Sequence, residues 1–193
     1  MTTQKRAAKK SPYQKAKQHL EDYLSEFVYG GIDGAVTTFA VVAGATGARF
    51  EAKILLVLGF ANLIADGFSM GVGSYLSTKS EQQLMEKKGE SIADEPSPVI
   101  NGVTTYASFI LVGLVPLLVF TADFIFDLGM NNMDAFYLTA FMTALAFVGI
   151  GLLKSRVAQA PRVRSIMETL VLGVIAAGLA YVLGDLLEKL ITG

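Results

Sequence analysis

Cysteine is absent from this chain, which removes disulfides, thiolate metal ligands and a cysteine nucleophile from its chemistry. Histidine occurs once, at His19 in the polar N-terminal segment, where it reads as a solvated surface residue. A hydrolytic triad therefore has no member set, and the chain is not expected to be an enzyme. Charge is scarce as well: 17% of the 193 residues are Asp, Glu, Lys or Arg, against 52% hydrophobic. The charges are bunched, leaving several stretches of about 20 residues almost without them, which excludes an ordinary soluble domain. The net charge of −1 says little, because in a membrane protein the side on which charge lies matters more than the sum.

What is present is an all-α, polytopic pattern. Residues 1–26 are basic and polar for too long to be the n-region of a signal peptide, and are read as a retained segment. Within them Tyr13, Ala16, Leu20, Tyr23 and Leu24, continuing to Phe27, recur at helical spacing. The spacing predicts an amphipathic helix along the membrane surface, with Lys15 and Lys17 towards anionic lipid. Residues 27–193 form the membrane domain, with spans expected at 27–48, 54–76, 99–122, 135–153 and 166–187. Lys and Arg divide thirteen to three in favour of the N-terminus and the loops after spans 2 and 4. That bias puts the N-terminus in the cytoplasm and the C-terminus on the lumenal or extracellular side.

Polar residues inside these spans carry the functional signal, since a charge at the bilayer centre costs about 2.5 kcal/mol or more. Asp33 follows the pair Gly30-Gly31 in span 1, and the glycines are expected to weaken the helix and free carbonyls towards a cavity. Thr37 falls on the same face as Asp33. The alternative makes Asp33 an interfacial residue that snorkels to water. In span 2, Asn62, Asp66 and Met70 are spaced by four and line one face, with Asp66 near mid-membrane. Oxygen ligands with a thioether suit a divalent first-row metal. Taken singly, Met70 reads as packing filler and Asp66 as a carboxylate satisfied by neighbouring hydroxyls. Small residues four apart, such as Gly67 and Gly71, predict close helix packing within the bundle or at a dimer contact. A short echo relates Asp33-Gly34-Ala35-Val36-Thr37-Thr38-Phe39 to Asn101-Gly102-Val103-Thr104-Thr105-Tyr106.

The run Asp33-Gly34 before VTTFAVVAGATGA, together with GFANLIADGFSMGVGSYLSTKSE in span 2, closely resembles the vacuolar iron transporter family. Pro98, Pro116-Leu117-Leu118, and Gly173, Ala177, Tyr181 and Gly184 fit the same pattern, so the resemblance covers nearly all of the chain after Phe27. It implies a five-helix homodimer exporting Fe2+, and in some members Mn2+, from the cytosol in exchange for protons. The path would run between the two copies of span 1. The family's span 1 aspartate corresponds to Asp33, its span 2 methionine to Met70, and its span 2 glutamate to Asn62. Asparagine does not titrate, so a proton-coupling role would move, with Asp66 one turn away as the candidate. Plant members carry a cytoplasmic metal-binding domain between spans 2 and 3. Here residues 77–98 are too short for it, although Glu81, Met85, Glu86, Glu90, Asp94 and Glu95 remain.

The resulting expectation is a divalent-metal/proton antiporter that takes in metal near Glu81 and Glu86, passes it by Met70 and Asp33, and releases it past Asp123 and Asp127. It has no resident cofactor; Fe2+ or Mn2+ is cargo. Its partners are membrane lipids, metal ions, protons and a second copy, with no nucleic acid. The rival readings are a non-transporting scaffold or metal sensor of this fold, and a proton-coupled carrier of another solute. A solvated acidic helix extension is the plain alternative for residues 81–95.

Overall fold

The computed structural model describes residues 12–93 and 95–192, with six helices: α1 Pro12–Gly47, α2 Ala52–Lys87, α3 Pro98–Gly113, α4 Val115–Phe126, α5 Asn132–Val157 and α6 Arg162–Thr192. The basic residues at 5, 6, 9 and 10, the side chains of Lys15, Lys17 and His19, and Asp94 lie outside the description. Among the described residues α1, α2, α5 and α6 are long and apolar enough to cross a membrane, and α3 with α4 makes a fifth, bent span.

The segment before Phe27 is helical, as its spacing indicates, but it runs into span 1 without a break rather than as a separate surface helix. Nor do Gly30 and Gly31 interrupt α1. Their effect is on packing. A Cβ at Gly30 would strike the Thr105 carbonyl oxygen and the Ser108 hydroxyl, and one at Gly34 would strike the Phe109 carbonyl oxygen. Without side chains there, α1 and α3 meet backbone to backbone. Further along, a Cβ on Gly47 would strike the Tyr181 carbonyl oxygen, and one on Gly184 the Gly44 carbonyl oxygen, so α6 approaches α1 equally closely. Helix α1 is thus the centre of the bundle, with α3 and α6 along it and α2 and α5 beside it.

The third span departs from the straight helix expected over 99–122. Its two halves are bent by 51° at Leu114. Pro116 lies in the first turn of α4, where it donates no amide hydrogen and its ring crowds the carbonyl four residues back, so the α3 ladder ends. Leu117, fully buried, then fits against Gly59 of α2. It joins Phe109, Phe120, Leu55, Leu63 and Val42 in one apolar core, while Ala35, Phe39, Phe147, Ile150 and Ala177 form another against α5 and α6.

Helix α2 has 36 residues, a length of about 54 Å at 1.5 Å per residue, against a hydrocarbon core of about 30 Å. Its polar last three turns therefore project beyond the bilayer. Gln82 Nε2 donates to the Pro96 carbonyl oxygen at 2.8 Å, and the Ser97 amide donates to the Tyr23 hydroxyl at 3.1 Å, tying the α2–α3 connection to both α2 and α1. At the opposite end Asn131 caps α5: its Oδ1 accepts from the Asp134 amide at 2.9 Å and its Nδ2 donates to Asp134 Oδ2 at 2.6 Å. Leu, Ile, Val and Phe side chains left exposed along α2, α5 and α6, among them Phe68, Phe141 and Leu179, form the outer apolar surface that an integral membrane protein presents to lipid.

Candidate functional site

A cleft of about 820 Å³ opens between α1, the extended end of α2 and the α2–α3 connection. Among the described residues its walls carry Asp22, Glu26, Glu81, Glu90 and Glu95 against one cation, Lys88. This excess of carboxylates over a recessed surface attracts cations. At its inner limit lie Tyr29, Ser69, Met70 and Gly73. One to two helical turns beyond Tyr29 and Met70, Asp33 on α1 and Asp66 on α2 are both half-buried.

The helices place these groups by periodicity. On α1, Asp22, Glu26, Tyr29, Asp33 and Thr37 follow at intervals of four, three, four and four, which keeps them on one face. The matching face of α2 is Asn62, Asp66 and Met70, all half-buried, while Leu63, Gly67 and Gly71 between them are buried on the side towards α3. Met70 packs at the edge of the apolar core. It thus has both a packing contact and a place on the cleft wall, and the filler and ligand readings describe two sides of one side chain. Thr37 donates its hydroxyl hydrogen to the Asp33 carbonyl oxygen at 2.8 Å, leaving its oxygen able only to accept or to face a cation. The amide nitrogen of Asn62 is buried without an acceptor.

Other expected positions are spread differently. Glu81 lines the cleft with Met85, Glu90 and Glu95; Glu86 is exposed and is not part of its lining. On the opposite end, Asp123 Oδ1 accepts from the Met130 amide at 3.0 Å, while Asp127 is exposed and ends α4 in a left-handed conformation at φ 50°. Asp123 is therefore committed to holding the α4–α5 turn. Among the described residues no group of three or more His, Cys, Asp or Glu is placed to hold a metal. One chain offers the Asp33 and Asp66 pair with a thioether nearby, and any fuller ligand set needs water, neutral oxygens or a second copy.

Sequence reasoning missed Glu26. Its Oε2 accepts from Ser74 Oγ on α2 at 2.9 Å and from Thr105 Oγ1 on α3 at 2.7 Å, so it joins three helices at the base of the cleft. The signal was present as the seven-residue interval from Glu26 to Asp33, two turns along one face. Beginning the span at Phe27 assigned Glu26 to the leader instead.

The sequence model described as the VIT family matches residues 24–95 and 86–185. The chain belongs to the VIT family. The two matched parts meet at 86–95, in and beside the short α2–α3 connection where the plant domain was expected to be missing. Relatives within the VIT family include a vacuolar iron transporter of Toxoplasma gondii, 27% identical, with 88% of this chain and 76% of that protein covered. Vacuolar iron transporter homolog 3 of Arabidopsis thaliana is 30% identical, with 82% and 80% covered. Vacuolar iron transporter 1 of the same plant is 24% identical, with 86% and 87% covered. The Toxoplasma alignment runs over 233 positions, more than this chain's 193 residues, whereas that with homolog 3 needs 168. Short members of the VIT family thus occur beside longer ones.

Proposed function

We propose that this protein exports Fe2+ or Mn2+ from the cytosol in exchange for protons, working as a homodimer. The observation that carries the reading is the placing of two half-buried carboxylates, Asp33 and Asp66, within the span, inward of an acidic cleft walled by Met70. Two carboxylates in a low-dielectric span are relieved either by a divalent cation or by a proton, and alternation between the two is what an antiporter requires. The names of the relatives favour iron as cargo. The export direction rests on the excess of Lys and Arg at the cleft end, which marks that end as cytoplasmic. The dimer reading is supported by the incomplete ligand set of a single chain and by Tyr29, 62% exposed beside the inner end of the cleft. Asp33, Thr37, Asn62, Asp66 and Met70 line the path, with Asp66 taking the proton-coupling role that Asn62 does not fill.

The test is metal flux into proteoliposomes with and without a pH gradient. Wild-type protein is expected to carry Fe2+ or Mn2+ faster when protons move the opposite way. In the Asp66→Asn variant, flux that remains should lose its response to the gradient, and adding Asn62→Glu should restore it. An Asp66→Asn protein that transports normally and still responds to the gradient would sink the assignment of coupling to Asp66. Wild-type vesicles with no flux above an Asp33→Ala control would favour a scaffold or sensor instead. Met70→Leu keeps the apolar packing and removes the thioether. It is expected to narrow discrimination between Fe2+ and Mn2+ in competition assays, because the softer ligand favours the metal later in the series.

A further inference from the structure

Helices α2 and α5 are separated by one span, so the acidic cleft and the α5–α6 turn lie at the same end of the bundle. That end is charged unevenly. On the cleft side, among the described residues, Lys88 stands alone among carboxylates. Across the α5–α6 turn the balance is reversed: between residues 154 and 168 the cations are Lys154, Arg156, Arg162 and Arg164, and the one acid is Glu168. A bias of Lys and Arg towards one side of the membrane is met by cations anywhere at that end. It does not explain their collection on one edge.

The turn holds these cations in a fixed frame. Helix α5 ends in a tight cap, in which Gln159 is left-handed at φ 49° and the Ala160 amide donates to the Ser155 carbonyl oxygen at 3.1 Å. Pro161 follows, and α6 begins at the next residue. Just inside the turn the helices meet closely, since a Cβ at Gly151 would lie 2.9 Å from the Ile166 Cα. Glu168 then bridges the two, accepting from Lys154 Nζ at 2.8 Å and from Arg164 Nε at 2.9 Å.

That bridge offsets one of four positive charges and leaves three. Arg164 is engaged through Nε alone, so the N–H groups on its two Nη atoms have no acceptor among the described residues. Arg156 and Arg162 are exposed, and among the described residues neither enters an ion pair or a side-chain hydrogen bond. Apolar side chains adjoin them: Val163 and Met167, one turn apart on α6, are 75% and 52% exposed. Arginines next to bare apolar side chains at the end of a span match the boundary between lipid phosphates and acyl chains.

We propose that the α5–α6 turn binds the headgroup of an anionic phospholipid, with Arg156, Arg162 and the Nη edge of Arg164 on its phosphate and its acyl chains along Val163 and Met167. Planar guanidinium groups pair with two phosphate oxygens at once, which makes this edge a phosphate site and not only a positive surface. Three surplus positive charges select an anionic lipid over a zwitterionic one, whose own cationic group would be set against them. The site needs neither a metal nor the carboxylates within the spans, so it stands apart from the transport reading.

The test uses the full chain in detergent micelles, titrated with phosphatidylglycerol or phosphatidylcholine, with bound lipid counted by native mass spectrometry. Wild type is expected to retain phosphatidylglycerol in preference to phosphatidylcholine. Arg156→Gln combined with Arg162→Gln removes no contact within the fold. It should weaken phosphatidylglycerol binding roughly thirtyfold and leave phosphatidylcholine within about twofold of wild type. Lys87→Gln combined with Lys88→Gln removes two charges from the part of α2 that projects beyond the bilayer. That variant should keep phosphatidylglycerol binding within about twofold of wild type. Equal retention of the two lipids by wild type, or unchanged binding in the arginine variant, overturns the proposal. So does an equal loss in both double variants, which marks a diffuse attraction. Displacement of phosphatidylglycerol by inorganic phosphate at matched ionic strength marks a free-anion site and overturns it as well.

Discussion

Replacing Asp33 by asparagine should reduce metal flux in proteoliposomes by roughly a hundredfold, with the protein still folded. Asparagine matches the aspartate in shape, so the packing of α1 through Gly30 and Gly34 against α3 is untouched. What changes is one of the two half-buried charges within the span. A divalent ion at that depth has exchanged most of its water for protein ligands. Removing the carboxylate from such an ion–carboxylate pair leaves the cation's charge uncompensated and costs about 3 kcal/mol or more. Through the exponential dependence of rate on barrier height, that corresponds to roughly a hundredfold. Stopped-flow quenching of a metal-sensitive dye inside the vesicles measures it, with thermal stability in detergent as the folding control. If Asp33 merely snorkelled to water at the interface, Asp33→Asn would leave flux within about twofold of wild type, since exposed charges are worth little.

Gly34→Ala is expected to be strongly disruptive for a single added methyl. The new Cβ would be driven into the Phe109 carbonyl oxygen and would sit 2.9 Å from the Phe109 Cα, and neither backbone atom can rotate aside. The contact is mutual, because a Cβ at Gly113 would lie 2.8 Å from the Gly34 carbonyl oxygen. Overpacking of this kind typically costs about 1–3 kcal/mol, and here α1 is the element against which most of the bundle packs. Gly73→Ala is the control, a helix-interior glycine on the cleft wall with nothing within 4 Å of its added methyl. Alanine is about 1 kcal/mol better than glycine in a helix interior, so the control should be neutral or slightly stabilising. Fluorescence-detected gel filtration after a temperature ramp compares the two. Equal melting behaviour would show that α1 and α3 do not approach as closely as described.

Much of the architecture was legible because hydropathy is a direct readout of lipid contact. Uninterrupted apolar runs gave α1, α2, α5 and α6, and the glycine content announced close packing. The 51° bend was not legible. Pro116 stood in plain view, but a proline in a membrane helix sets only the lost hydrogen bond, while the angle depends on how Leu117 seats against Gly59. The Asp33 and Asp66 faces followed from four-residue spacing within single helices. Glu26 did not, because its role arises where α1, α2 and α3 converge, and one-dimensional spacing carries no information on which hydroxyl meets which carboxylate.

The uninterrupted run of α2 has a mechanical consequence. Glu81 and Met85 in the cleft wall and Asp66 within the span are fixed to one shaft with no hinge between them. A regular helix is torsionally stiff, so turning its outer end about the axis turns the inner face through nearly the same angle. A push on the exposed end of α2 would therefore reach Asp66 and Met70 through the helix itself, resisted only where Gly71 and Gly102 bring α2 and α3 backbone to backbone.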